Sequence, residues 1–208
     1  MVTKPLAVRL LTEFRWLDPG ADATHEVSDM SGWWREPALL AGLGPALAAL
    51  FPEAEPTVVV APEAAGFLLG PLVAHALGVG FVEAHKDGRG RVAARMLRRT
   101  TAPDYRGRSI TLSVQARLLS ATDRVLVVDD WVATGAQIAA LRSLVHAAGA
   151  QYLGAAVIVD ACPRPVAVDL GVRSLLTHHD LEFARRQPAR RKPVHPRRPE
   201  PPYADGRR

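Results

Sequence analysis

The run Arg124-Val125-Leu126-Val127-Val128 is apolar without alternation and stops at two carboxylates, Asp129 and Asp130. A short strand that is apolar on both faces needs cover on both, so it belongs inside a sheet with helices above and below. The pattern then changes. From about Gly135 to Ala148 the side chains of Ile138, Leu141, Leu144 and Val145 share one helical stripe, and Gly149 supplies a stop. Two acids are thereby set at the carboxyl end of a buried strand, one turn away from the amino end of a helix.

The same grammar recurs along the chain. Thr57–Ala61 reads as a buried strand followed by a helix around Leu68–Leu77, Phe81–Ala84 as the next strand, and Tyr152–Val159 as another that ends at Asp160. Strands alternating with helices predict a doubly wound, mostly parallel α/β sheet with right-handed crossovers and no internal repeat. Ligands of such sheets bind outside the carboxyl ends of the strands, where Glu63, Asp129, Asp130, Asp160 and the loop after Glu83 collect. Elsewhere, Ala7–Leu17 reads as a strand or irregular arm, Asp18-Pro19-Gly20 as a turn, and Pro37–Phe51 as a helix of small residues. The segment from Lys86 reads as a long loop with strand edges near Ser109–Val114.

A chain of 208 residues suits one globular unit. Its single cysteine, Cys162, permits neither an intramolecular disulfide nor a cysteine-based zinc site, which places the protein by expectation in a reducing cytoplasm. No histidine has a zinc-ligand spacing, and no metal site built from protein side chains is expected. The apolar run near Lys4 and Arg9 is too short for a secretory signal. Ala64–Val82 lacks charge over a membrane-spanning length, yet Gly66, Gly70, Pro71, Gly78 and Gly80 divide it into loop, buried helix and strand. A membrane role is not expected.

The net charge of +5 is unevenly placed. Arg185–Arg208 holds nine basic and two acidic side chains, a net of +7, which leaves residues 1–184 at −2. Within that body Lys86–Arg108 carries eight basic and two acidic side chains. The tail also holds six of the 17 prolines and few large aliphatics, so it cannot offset the entropy of ordering and is expected to be disordered. The division is then a domain over 1–184 and a Pro/Arg-rich tail over 185–208. That tail reads either as a solubilising extension or as an arm for nucleic acid, the one part of the chain with that potential.

The segment Asp129-Asp130-Trp131-Val132-Ala133-Thr134-Gly135-Ala136-Gln137 combines carboxylates, which accept hydrogen bonds from sugar hydroxyls, with a turn whose N–H groups, Thr134 hydroxyl and helix dipole suit a phosphate. Apolar strands ending in two aspartates also occur in receiver domains and metal-dependent hydrolases, and a Thr-Gly helix start also serves as a plain cap.

Four apolar residues, two acids, three variable residues and Thr-Gly resemble the signature of type I phosphoribosyltransferases that binds 5-phosphoribosyl pyrophosphate (PRPP). The resemblance implies that Asp129 and Asp130 hold the ribose hydroxyls and that Ala133, Thr134, Gly135, Ala136 and Gln137 hold the 5′-phosphate. Many members have Gly-Gly-Thr where this chain has Gly135-Ala136-Gln137. Val58–Gly70, with Ala64-Ala65-Gly66 at its turn, is similar to the family's pyrophosphate loop, most of all in adenine enzymes, many of which place an arginine where Ala65 stands. Phe81-Val82-Glu83-Ala84-His85-Lys86 is similar to the strand and lysine before the family's flexible catalytic loop.

On that resemblance Lys86, Asp129 and Asp130 are the catalytic candidates, and Arg95, Arg98, Arg99 and Tyr105 the candidates for closing over pyrophosphate. The implied reaction joins a nitrogen of a purine-type base to the sugar of PRPP and releases pyrophosphate, as in purine salvage. Mg²⁺ is held mainly by the substrate's oxygens. Ala133, where hypoxanthine-guanine enzymes carry an aspartate, favours adenine-like or xanthine-like relatives. A hood over the base is expected from the chain ends, with Val172–Leu175 and the arm before Trp33 as its parts, and a homodimer as the assembly. The alternative is a regulator that binds PRPP or a nucleotide without catalysis and touches nucleic acid through its tail.

Overall fold

The computed structural model describes residues 4–18, 27–86, 95–103 and 107–186. Two helices and two short strands begin it: α1 (Lys4–Glu13), β1 (Arg15–Leu17), β2 (Val27–Asp29) and α2 (Ser31–Arg35). Helix α3 (Pro37–Ala48) leads to β3 (Val58–Pro62), α4 (Gly66–Leu77) and β4 (Gly80–Lys86), followed by β5 (Met96–Thr100) and β6 (Thr111–Gln115). The chain continues through β7 (Arg124–Val132), α5 (Ala136–Ala147), β8 (Gln151–Asp160), α6 (Arg164–Asp169), β9 (Val172–Thr177) and α7 (His178–Arg186).

Seven strands form one sheet in the order β5-β6-β4-β3-β7-β8-β9. The five from β4 to β9 run parallel, and β6 and β5 add an antiparallel edge. The doubly wound, mostly parallel expectation is borne out. Alternation along the strands divides the core by face. Val59, Ala61, Leu126, Val128, Ala156 and Ile158 pack with α3 and α4 through Leu39, Leu43, Leu69 and Val73. Val58, Val60, Val125, Val127, Ala155 and Val157 pack on the other face with Ile138, Leu141 and Leu144 of α5. A strand with both faces covered needs apolar residues at every position, which is why the runs show no period of two.

Helix α4 carries the chain from β3 to β4 on one side, while α5 carries it from β7 to β8 on the other. The neighbours β3 and β7 therefore flank the switch point, where a crevice opens beyond their carboxyl ends.

Four expectations are corrected. Residues from Lys4 to Glu13 form a helix and only Arg15–Leu17 is a strand, because Leu6, Leu10 and Phe14 repeat every fourth residue and are buried together. The long basic loop contains β5, whose five residues pair with β6 from Met96↔Gln115 to Thr100↔Thr111. Strand β7 does not end at the acid pair: Trp131 and Val132 continue the ladder opposite Val159 and Asp160. Val172–Leu175 is no hood segment but part of the sheet's outer strand β9, with Leu175 and Leu176 in the core. The hood itself comes from α1, the antiparallel ribbon β1–β2, α2 and α7, so chain ends do build it.

Helix α7 includes Arg185 and Arg186; the rest of the tail, Tyr105, and Pro19-Gly20 of the expected turn lie outside the described residues. Ala64–Val82 is divided as expected, into the turn before α4, the 12-residue α4 and the first part of β4. Among the described residues no helix is long and apolar enough to cross a membrane.

Candidate functional site

The end of β7 delivers Asp129 into the sheet and Asp130 to its rim. Asp129 is 3% exposed, and its two oxygens are engaged: Oδ1 accepts the Asp130 N–H at 3.0 Å, and Oδ2 accepts Nε2 of Gln137 at 2.7 Å. Asp130 is half-buried, and its Oδ1 accepts the Trp131 N–H at 2.8 Å. Burial, and next the neighbouring Asp130 carboxylate, push the Asp129 carboxyl well above the usual carboxylate range, while the Asp130 amide and Gln137 pull the other way.

Beyond Val132 the chain turns. Ala133 and Thr134 are exposed, and Thr134 Oγ1 accepts the Ala136 N–H at 3.3 Å. Gly135 is buried at φ 78°. A Cβ there would lie 2.7 Å from Val166 Cγ1 and 2.9 Å from Leu170 Cδ1, so both the backbone angle and the packing require glycine. Asp129, Trp131, Val132, Ala133, Thr134, Gly135, Gln137 and Ile138 line an open cavity of about 160 Å³. The Asp129 carboxylate and the helix-starting turn thus meet in one concavity, with Asp130 next to Asp129 on the strand, an arrangement that suits a ligand with hydroxyls at one end and an anion at the other.

The loop after β3 stands beside it. Glu63 N–H donates to the Ala84 carbonyl at 3.0 Å, the Glu63–Ala64 peptide is cis, and Gly66 begins α4. A Cβ on Gly66 would meet Pro62 Cδ at 2.9 Å, so this turn lies tight against its own strand. The Glu63 carboxylate reaches across to accept the backbone N–H of Lys86 at 3.0 Å. Ala64, Ala65 and Gly66 are therefore held next to the end of β4 from which the basic segment departs. Sequence places Glu63 at this edge without a task; its tie to Lys86 joins residues 23 apart and has no local signature.

The three arginines of that segment part company. Arg99 lies over α5, its Nε donating to Ser143 Oγ at 3.0 Å. Arg98 is opposite Ser113, which is opposite His85, so these three share a cross-strand row on the other face. His85 contacts Phe67 at the start of α4, with ring centroids 5.2 Å apart, and pairs with Glu83 at 2.9 Å. Arg95 is exposed just before β5.

Trp131 of the cavity lining belongs to an aromatic group that the sequence does not reveal. Trp131 is 6.2 Å from Phe14, 6.3 Å from Trp16 and 6.0 Å from His178, between ring centroids. Trp33 is fully buried beneath them and donates its indole N–H to the Leu10 carbonyl at 2.8 Å. The available signal is an aromatic residue directly after the acid pair, together with Trp16 and Trp33; their meeting requires the fold. His178 is exposed but packs against both Trp16 and Trp131.

These features define a doubly wound domain with a carboxylate pair and a glycine turn opening a helix at its switch point. The profile of the phosphoribosyl transferase domain family matches residues 35–184, and the chain belongs to that family. It is 38% identical over 108 residues to an adenine phosphoribosyltransferase of Desulfitobacterium hafniense, covering 52% of this chain and 60% of that protein. It is 36% identical over 125 residues to a xanthine phosphoribosyltransferase of Lactobacillus delbrueckii, covering 60% of this chain and 66% of that protein. The matched stretches thus span less than two thirds of either relative. Among solved structures, the adenine phosphoribosyltransferase of Rhodothermus marinus superposes with a TM-score of 0.71 at 27% identity, covering 84% of this chain and 99% of that one.

Proposed function

We propose that the protein is a phosphoribosyltransferase that transfers the 5-phosphoribosyl group of PRPP to a ring nitrogen of a purine-type base and releases pyrophosphate. The observation that carries this reading is the direct succession of Asp129, Asp130 and the Thr134–Gln137 turn at the end of the central strand, with Asp129, Thr134, Gly135 and Gln137 lining one cavity. The turn takes the 5′-phosphate, the acid pair addresses the ribose hydroxyls, and the Ala64–Gly66 loop faces the pyrophosphate. The C1–O bond to pyrophosphate breaks as the C1–N bond forms, with inversion, and the displaced base proton leaves to solvent.

The chain's own groups position the sugar, balance charge and exclude water. Lys86, fixed through its N–H to Glu63, starts the covering segment. Of the loop arginines Arg98 is the better placed for pyrophosphate, since its row leads through His85 to Phe67 beside the Ala64–Gly66 turn, whereas Arg99 is engaged by α5. The aromatic group around Trp131 forms the platform for the base. Mg²⁺, which neutralises phosphate charge, enters with the polyphosphate: among the described residues no three acidic, His or Cys side chains form a metal cluster, and Asp129 already has a donor on each oxygen. The remaining parts of the proposal are a cytoplasmic location, a homodimer, the division at 184/185, and nucleic-acid contact confined to the tail.

The test is incubation of the full chain with PRPP, Mg²⁺ and a panel of purine and pyrimidine bases while pyrophosphate release is followed. Release with adenine or xanthine but not with pyrimidines is expected. PRPP binding without turnover by any base would instead assign the chain a regulatory role, and absence of PRPP binding would overturn the reading of the site.

A further inference from the structure

The Gln137 amide reaches back from the start of α5 to the strand end, where it donates to Asp129 Oδ2 at 2.7 Å. Its partner lies eight residues earlier, so this bond closes the whole stretch from Asp129 to Gln137 into a ring. The strand end forms one side, the turn and first helical residues the other. Both residues line the cavity. The second oxygen of Asp129 is held by the Asp130 amide at 3.0 Å, so the carboxylate is fixed in rotation as well as position. A side-chain hydrogen bond in a buried, low-dielectric setting is electrostatically stronger than the same bond in water. Closing a ring this small also removes much of the turn's freedom to relax.

We propose that Gln137 is a positioning residue: its side chain clasps the turn to Asp129 and sets the distance between the sugar-binding carboxylates and the phosphate-binding N–H groups before the ligand arrives. The proposal rests on the reading of this site as a PRPP site. It differs from the expectation that Gln137 contacts the phosphate itself, because the side-chain conformation that delivers an amide N–H to Asp129 commits Gln137 to the carboxylate.

The surroundings leave few groups to share this task. On β7 the charged neighbour of Asp129 is Asp130, and β8 opposes it with Val157. Helix α5 has its first ionisable residue, Arg142, more than a turn beyond Gln137, and α4 carries only His75, in its last turn. Among the described residues of these elements no cation stands beside Gln137, so the carboxylate introduced by Gln137→Glu would face Asp129 without one from them.

This predicts coupling with a defined sign. Mg²⁺-PRPP binding is measured by calorimetry for the full-length wild type, Gln137→Leu, Gln137→Glu, Asp129→Asn and the double variant Asp129→Asn/Gln137→Glu, each checked for folding by circular dichroism. Gln137→Leu is expected to weaken binding about tenfold, and Gln137→Glu more. In the double variant donor and acceptor exchange places, since the introduced asparagine amide can donate to the introduced glutamate. It is expected to bind at least about tenfold better than additivity of the two single changes allows, a factor equal to about 1.4 kcal/mol of coupling. If the deficit caused by Gln137→Glu is the same with aspartate or asparagine at position 129, the amide acts on the phosphate and the clasp is overturned. If Gln137→Leu fails to fold, the cycle through the Gln137→Glu and Asp129→Asn variants still decides. Wild-type protein that binds no PRPP overturns the site reading, and the clasp with it, whereas wild-type binding without coupling overturns the clasp alone.

Discussion

Asp129 illustrates the tension between stability and function in a single side chain. It is buried beside a second carboxylate, and its carboxyl is held well above its ordinary value of 3.8 by burial first and by Asp130 next. A carboxyl whose folded pKa is raised favours the folded state below its unfolded pKa, and that benefit is lost as pH rises through the folded value. Above its unfolded pKa the Asp129 carboxyl is therefore a cost to folding, which its proposed role at the ligand accounts for. Asp129→Asn removes the charge at nearly constant shape. It is expected to raise the melting temperature at pH 7 and to weaken PRPP binding, with the stability advantage shrinking as pH falls toward 4. Scanning calorimetry from pH 4 to 8 with parallel binding measurements checks both; an advantage that is constant with pH would mean that the carboxylate's charge is not the cause. Ala133, Thr134 and Gly135 are legible in the sequence because a turn and helix start are local patterns. The partner of Gln137 is not, because a side chain's choice between a phosphate and a carboxylate depends on its rotamer within the assembled cavity.

At the scale of elements, the hood shows how a short helix can escape a linear reading. Leu6, Leu10 and Phe14 have helical spacing, yet the consecutive Leu10-Leu11 and the nearby Val8 also suit a strand. The helix is selected by its contacts: Leu10 is fully buried and its carbonyl accepts the Trp33 indole N–H. Leu10→Ala is expected to cost about 2–5 kcal/mol of stability by leaving a cavity under Phe14 and Trp33. On the proposed reading the hood roofs the base end of the site, so the same change is expected to raise the KM for the base more than the KM for PRPP. Thermal denaturation and steady-state kinetics read the two effects, and equal changes in both KM values would separate the hood from base recognition. Strand β5 escapes for another reason: Met96–Thr100 is an exposed edge that carries two arginines and no alternation, so pairing with β6 gives it its form. An apolar run does not name its neighbours, which is why Val172–Leu175 reads as a hood segment until pairing with β8 places it in the sheet.

For the whole molecule, the distribution of charge has two meanings. The family match ends at residue 184 and lies within the mildly acidic body. Truncation after Arg186 removes seven basic and two acidic side chains. It is expected to leave PRPP turnover within about twofold and to abolish retention on immobilised RNA at low salt, an attraction that falls steeply with ionic strength. Retention that survives truncation would place the basic surface within the body. What the sequence by itself determined is the βα grammar, the covered parallel sheet and the position of the acid pair and turn at its edge, because apolar runs and helical stripes are local and leave few ways to be covered. Tertiary structure alone decided that Arg99 is engaged by α5 while Arg98 shares a row with His85, that Trp131 meets Phe14, Trp16 and His178, and that Gln137 holds Asp129. These are contacts among segments whose separation in sequence carries no information about their distance in space, and they form only when the sheet order brings the ends of β3, β4 and β7 together under the hood.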